Sequence, residues 1–267
     1  MATASSGASS GATTTAAPRK VAGETRFFTI MAFVMSAVIV AGFSLNLAMG
    51  RSSFAVPAVY HVHGIVFMGW IALFLAQHVT ISTGRIAAHV ALGKLAYLWV
   101  PAMVIAGTAL MIAVAQRTGG PFFFHVSEFL WSNIATLWCF GGLAFWALLR
   151  RRYTGWHRRL MLVAMAILTG PGLGRLIPLP LLIPNAWTIT VAATFVFPLI
   201  AMLADKRREG RVHPAYWWGT GLYLATFLVS VTIAYSPFGI GVTESLIAGT
   251  PGAERPMEAF LPPGFTM

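Results

Sequence analysis

Seven histidines, one cysteine and seven acids are the side chains of this 267-residue chain that could carry chemistry. His63 and His78 stand 15 residues apart in one apolar run. On a helix that spacing sets them about 60° apart in azimuth and about 22 Å apart along the axis. Such a run presents an imidazole near each of its ends. His125 opens a later run at the depth of His61 and His63, and His157 opens the next at the depth of His78. Two neutral imidazoles from facing helices at one depth form the axial set of a b-type haem, and four would hold two haems, one in each leaflet. The expected assignment is His63 with His125 on an outer iron and His78 with His157 on an inner one. Either His89 or His213, both in connections, could replace His157. The plain alternative is interfacial histidines bonded to loops or headgroups.

The remaining polar residues gather on the outer level. Glu128 follows His125 by three residues and so lies on the same helix face, with Ser132 and Cys139 continuing the stripe. Arg175 lies 18 residues past His157, a rise of about 27 Å on a straight helix. A lone acid and a lone base at one level are expected to pair, because an unpaired charge within the bilayer is expensive. The alternative is that Arg175 serves a ligand anion such as a haem propionate, leaving Glu128 to handle protons. His61, His63, His125 and Glu128 also suit zinc or iron by residue type. In a helix, however, a His-x-His pair splays its rings by about 200°, so that site requires the helix to begin after His61.

These residues need elements to hold them, and composition says which kind. Charged residues make up 9% of the chain and hydrophobic ones 57%, with a mean hydropathy of +0.75, where a soluble domain carries roughly 25% charged residues. A soluble globular fold is excluded. Between Glu24 and Asp205 the only acid is Glu128, so paired buried carboxylates are not expected. One cysteine, Cys139, allows no internal disulfide. Met1 to Pro18 are almost all Ala, Ser, Thr and Gly, and residues 1–26 read as a disordered tail. A span needs about 20 apolar residues, and seven stretches qualify: 27–49, 59–82, 91–115, 126–149, 160–183, 186–203 and 215–235. The expected fold is therefore all-α, an integral membrane bundle of about seven transmembrane helices. The 23-residue first stretch exceeds the apolar core of a typical signal peptide and reads as an uncleaved span.

Fourteen of the 18 Lys and Arg residues fall on alternate connections, with Arg150, Arg151, Arg152, Arg158 and Arg159 forming the densest group. Because positive loops stay cytoplasmic, the N-terminus is expected inside and the C-terminus outside. The net charge of +11 is thus assigned to membrane topology rather than to nucleic acid. Trp70, Trp99, Trp131, Trp156, Trp187, Trp217 and Trp218 read as interfacial anchors. Gly170, Pro171, Gly172 and Gly174 predict a kink or break within the fifth span. Residues 236–267, with five prolines and five glycines before Thr266, read as an irregular outer tail.

Two stretches are similar to a group of bacterial multi-span membrane proteins of unknown function. The first runs through His63-Gly64, Trp70, Gln77, Gly84-Arg85, His89 and Leu92-Gly93. The second runs from His157-Arg158-Arg159-Leu160-Met161 to Arg175-Leu176. The resemblance covers about residues 60 to 176 and implies a multi-pass protein of the bacterial inner membrane, with no activity attached. The histidine layers also resemble those of di-haem transmembrane b-type cytochromes. Retinal proteins need a lysine in the last span, and seven-helix zinc hydrolases a histidine pair there; the last span has neither. No nucleophile, base and orienting acid stand together as acyl transfer requires. Three functions follow as expectations: haem b binding for transmembrane electron transfer, transport of a small molecule, or a cofactor-free accessory subunit. Company is expected from the bilayer and from a membrane partner or further copies of the chain.

Overall fold

The computed structural model describes residues 16–265, with side chains from Gly23 onward. Its helices are α1 (Ala16–Ala48), α2 (Ala58–Ser82), α3 (Ile86–Gly93), α4 (Ala96–Thr118), α5 (Val126–Leu149), α6 (Thr154–Leu168), α7 (Gly170–Leu176), α8 (Ala186–Thr194), α9 (Val196–Glu209), α10 (Pro214–Ala234) and α11 (Pro237–Ile247). No strand occurs among the described residues. Six helices are long and apolar enough to cross a membrane, α8 and α9 forming one of them, and the bent pair α6–α7 makes a seventh. This is the expected all-helical bundle. In hydrocarbon each backbone N–H must be bonded within its own segment, which leaves the helix as the form available to an isolated apolar run.

α5 is the central helix, packed against α4, α6 and α10, and its buried face runs from Val126 to Leu148. The outer helices keep apolar side chains exposed, Ile65 at 72%, Ile105 at 70% and Leu98 at 78%. Lipid is the natural cover for such a surface. Trp70 and Trp187 depart from the anchor role: both are buried, at 3% and 8% exposure. Trp70 meets Phe140 edge-on, whereas Trp217 and Trp218 stay exposed. Trp99 donates to the Val66 carbonyl at 2.8 Å and fastens α4 to α2.

Several boundaries differ from the sequence reading. α1 begins at Ala16, inside the stretch read as tail, and residues 1–15 of that tail lie outside the described residues. The third span begins at Ala96, because Ile86–Gly93 forms a separate short helix. The fifth span breaks where the prolyl and glycyl residues predict, with α7 turned 42° from α6. Pro171 has no N–H to offer the preceding turn. α7 then crosses α1 at close range: a Cβ on Gly172 would sit 2.7 Å from Ile39 Cα. The C-terminal segment is ordered rather than irregular. Ser236 caps α11, its side chain accepting from Gly239 N, and Arg255 then donates to the carbonyls of Gly119 (2.6 Å), Gly120 (2.9 Å), Phe122 (3.3 Å) and Phe124. Those carbonyls belong to the turn after α4, where Gly119 and Gly120 both adopt positive φ. Val126 N to Met257 O (2.9 Å) and Phe260 N to Phe122 O (3.0 Å) complete the strap. Five guanidinium N–H donors in a fixed fork make one Arg sufficient to gather four carbonyls.

Candidate functional site

The histidines and the buried charged side chains fall into two regions, one at the basic end of the bundle, where Arg158 and Arg159 lie, and one at the opposite end.

At the basic end histidines from three elements approach one another, two of them in ring contact. His78 lies in the last turns of α2, His89 on α3 and His157 in the first turn of α6. The His89 and His157 rings are 6.5 Å apart at 82°, and His78 lies within electrostatic range of both. Their nitrogens differ in availability. His157 Nδ1 lies 2.8 Å from the Ala147 carbonyl. As donor in that bond, Nδ1 leaves Nε2 with a free lone pair. His89 Nδ1 is 3.3 Å from the Gln77 carbonyl but 2.5 Å from the Gln77 side-chain amide, in the orientation that also lets it donate to His89 O (3.0 Å) and accept from Gly93 N (2.7 Å). The shorter contact sets the tautomer, so Nδ1 accepts and Nε2 carries the hydrogen. His78 meets Phe74 edge-on at 4.8 Å, and neither of its ring nitrogens has a hydrogen-bond partner among the described residues. Burial holds His89 below the ordinary histidine range. His213 stays apart: its ring packs on Trp156 and it caps α10 by accepting from Ala215 N.

Beside this cluster sits an ion network the sequence reading missed. Arg159, 3% exposed, donates to Asp205 twice, from Nε at 2.7 Å and from Nη2 at 2.9 Å. Nη2 also reaches Glu24 at 3.0 Å, and Arg158 pairs with Glu24 as well. The network joins α1, α6 and α9, and His213 N adds a long bond to Asp205 at 3.4 Å. Glu24, Glu128 and Asp205 are all buried, so the expectation of a single buried acid is corrected. Glu24 and Asp205 are each neutralised by arginine and are not an acid–base pair. Their signal in the sequence was two acids each beside a basic flank, Glu24 by Arg26 and Asp205 by Lys206, where an acid is most easily paired.

At the opposite end the expected set is dispersed. His125 caps α5 and packs on Tyr235 at 4.7 Å, with Nε2 3.9 Å from Glu258. Burial lowers its pKa although the Glu258 charge opposes this. Tyr235 donates to Glu128 at 3.0 Å; burial and the Glu128 charge raise the phenol's pKa. His63 instead stacks on Phe67 at 3.9 Å and lies within range of Arg175. His63 and His125 thus share no neighbour. The predicted Glu128–Arg175 pair is also absent. The bend after Thr169 carries Arg175 to α1, where its guanidinium covers the Phe43 ring at 4.0 Å and Nη1 donates to the Pro171 carbonyl at 2.7 Å. The rival zinc or iron site fails on its own condition. α2 begins at Ala58, so His61 and His63 both lie within it, and among the described residues no three of His, Cys, Asp and Glu come together as a metal site.

No protein-family model, curated protein or solved structure matches the chain. The function must therefore be argued from these two regions.

Proposed function

We propose that this integral membrane protein holds one b-type haem at its basic end, where His78 and His157 would hold the iron and the haem would supply electron transfer. The observation that carries the reading is the approach of the His89 and His157 rings to 6.5 Å, with His78 within electrostatic range of both and an unengaged lone pair on His157 Nε2 and on His78. A ligating histidine characteristically anchors its other ring nitrogen on a carbonyl, as His157 does on Ala147. The third ring has a different task. His89, fixed by Gln77, presents an Nε2–H suited to a haem propionate, and Arg151, whose charge reaches His157, suits the other. Bound there, haem supplies a one-electron couple that no side chain of the cluster has. The excess of basic residues favours the cytoplasmic side of a bacterial inner membrane for this end. A second, outer haem is not part of the proposal, since His63 and His125 have separate surroundings.

An absorption spectrum of the detergent-solubilised protein, oxidised and dithionite-reduced, tests the reading. Sharp reduced bands are expected, lost in His78→Ala and in His157→Ala and kept in His63→Ala and His125→Ala. A colourless preparation from haem-sufficient cells rejects it.

A further inference from the structure

Arg175 is a partly buried charge that no carboxylate compensates among the described residues. It lies at the end of the broken span. Its single hydrogen bond there is to its own helix, at the Pro171 carbonyl, and its Nε is buried without a partner. His63, within electrostatic range, has a buried Nδ1 that is likewise unpartnered. Both groups are walled by aromatic rings, Phe43 under the guanidinium at 4.0 Å and Phe67 under the imidazole at 3.9 Å. Other arginines of the bundle find acceptors: Arg159 has two carboxylates and Arg255 four carbonyls. A desolvated cation with spare donors and no counter-charge calls for an anion from outside the chain.

We infer that Arg175, held on α7 over the Phe43 ring of α1, forms a binding site for a phosphate-type oxyanion, with His63 of α2 on its flank. Guanidinium geometry suits such a group, offering two parallel N–H donors, and His63 Nδ1, unpartnered within the protein, can add one more in the tautomer that carries its hydrogen there. The oxyanion reaches the site either as the headgroup of an anionic lipid or as free phosphate. Exposed Leu176, at 41%, puts apolar surface next to Arg175 and gives a lipid a route. The site is separate from the basic-end histidines, so the inference does not rest on haem.

The test uses the full chain in nanodiscs of phosphatidylcholine containing phosphatidylglycerol, with retained lipid counted by mass spectrometry, and in detergent with inorganic phosphate, read as a thermal shift. Retention of phosphatidylglycerol is expected to fall about tenfold in Arg175→Gln and less in Arg175→Lys. Exposed Arg117, which lies over Tyr60, provides the control Arg117→Gln, expected to be unchanged. A lipid preference that depends on Arg175 identifies a headgroup, and an Arg175-dependent phosphate shift without it identifies the free ion. If Arg175→Gln does not fold, His63→Gln carries the measurement, with an intermediate loss expected. Binding of both probes that is indifferent to Arg175 and His63 overturns the inference.

Discussion

The two ends of the bundle treat charge in opposite ways. At the basic end Glu24, Arg158, Arg159 and Asp205 satisfy one another inside the protein, and three histidines gather next to them. At the opposite end Arg175 has no counter-charge, Glu128 is held by a phenol, and the histidines stand apart. A membrane protein needs its internal charges paired wherever lipid offers nothing. The contrast therefore teaches that the basic end is a built structural unit with its charges paired internally, while the opposite end keeps one donor set open.

The largest expected effect breaks the paired end. Asp205→Asn removes one carboxylate from a buried bidentate pair and leaves Arg159 partly uncompensated, a loss of about 3–5 kcal/mol when such a pair is broken. Reversible unfolding in mixed micelles, followed by circular dichroism, measures it; a loss below about 1 kcal/mol, the scale of exposed pairs, would place the network at the solvated surface. A smaller effect is expected where the open end is assembled. Gly172→Val drives a side chain into the α1 backbone, where even a Cβ meets Ile39 Cα at 2.7 Å. Overpacking of this kind costs about 1–3 kcal/mol, and because it separates Phe43 from Arg175 it should lower oxyanion binding while leaving any basic-end absorbance unchanged. If the absorbance fell in parallel, the two ends would be one cooperative site.

The smallest effect concerns pH and compares the ends directly. His89 at one end and His125 at the other both have folded pKa values below the ordinary histidine value of 6.5, chiefly through burial. The folded protein therefore binds fewer protons than the unfolded one as pH falls below that value. Stability is full above about pH 6.5 and declines as pH falls through the depressed folded values. Melting curves across that window should flatten in His89→Gln and in His125→Gln, each by a fraction of the total slope. A slope unchanged in both variants would assign the acid sensitivity to other groups.

Much of the architecture was legible in the amino-acid order. Apolar runs gave the spans, and Gly170-Pro171 gave the break, since both depend on local chemistry. That His78 and His157 lie at the same end rested on depth along two helices, which sequence spacing measures well. His63 with His125 rested on the same depth argument and dissolved, because depth says nothing about rotation or neighbours. His63 stacks on Phe67 of its own helix, while His125 sits at the start of α5 beside Tyr235, just after α10.

By itself, then, the sequence determined that this chain enters a membrane as helices, that the fifth span breaks, and which end bears the positive charge. The physical reason is that desolvating the backbone and side chains in lipid acts residue by residue along one segment. Only the tertiary structure decided which polar groups meet: Glu24 and Asp205 on Arg159 across 135 and 46 residues of sequence, three histidines in one cluster, and Arg175 on Phe43 instead of Glu128. Those meetings depend on how each helix is rotated and bent against its neighbours. Ridges, small residues such as Gly172, and one proline set that rotation through contacts between segments, and no single segment encodes it.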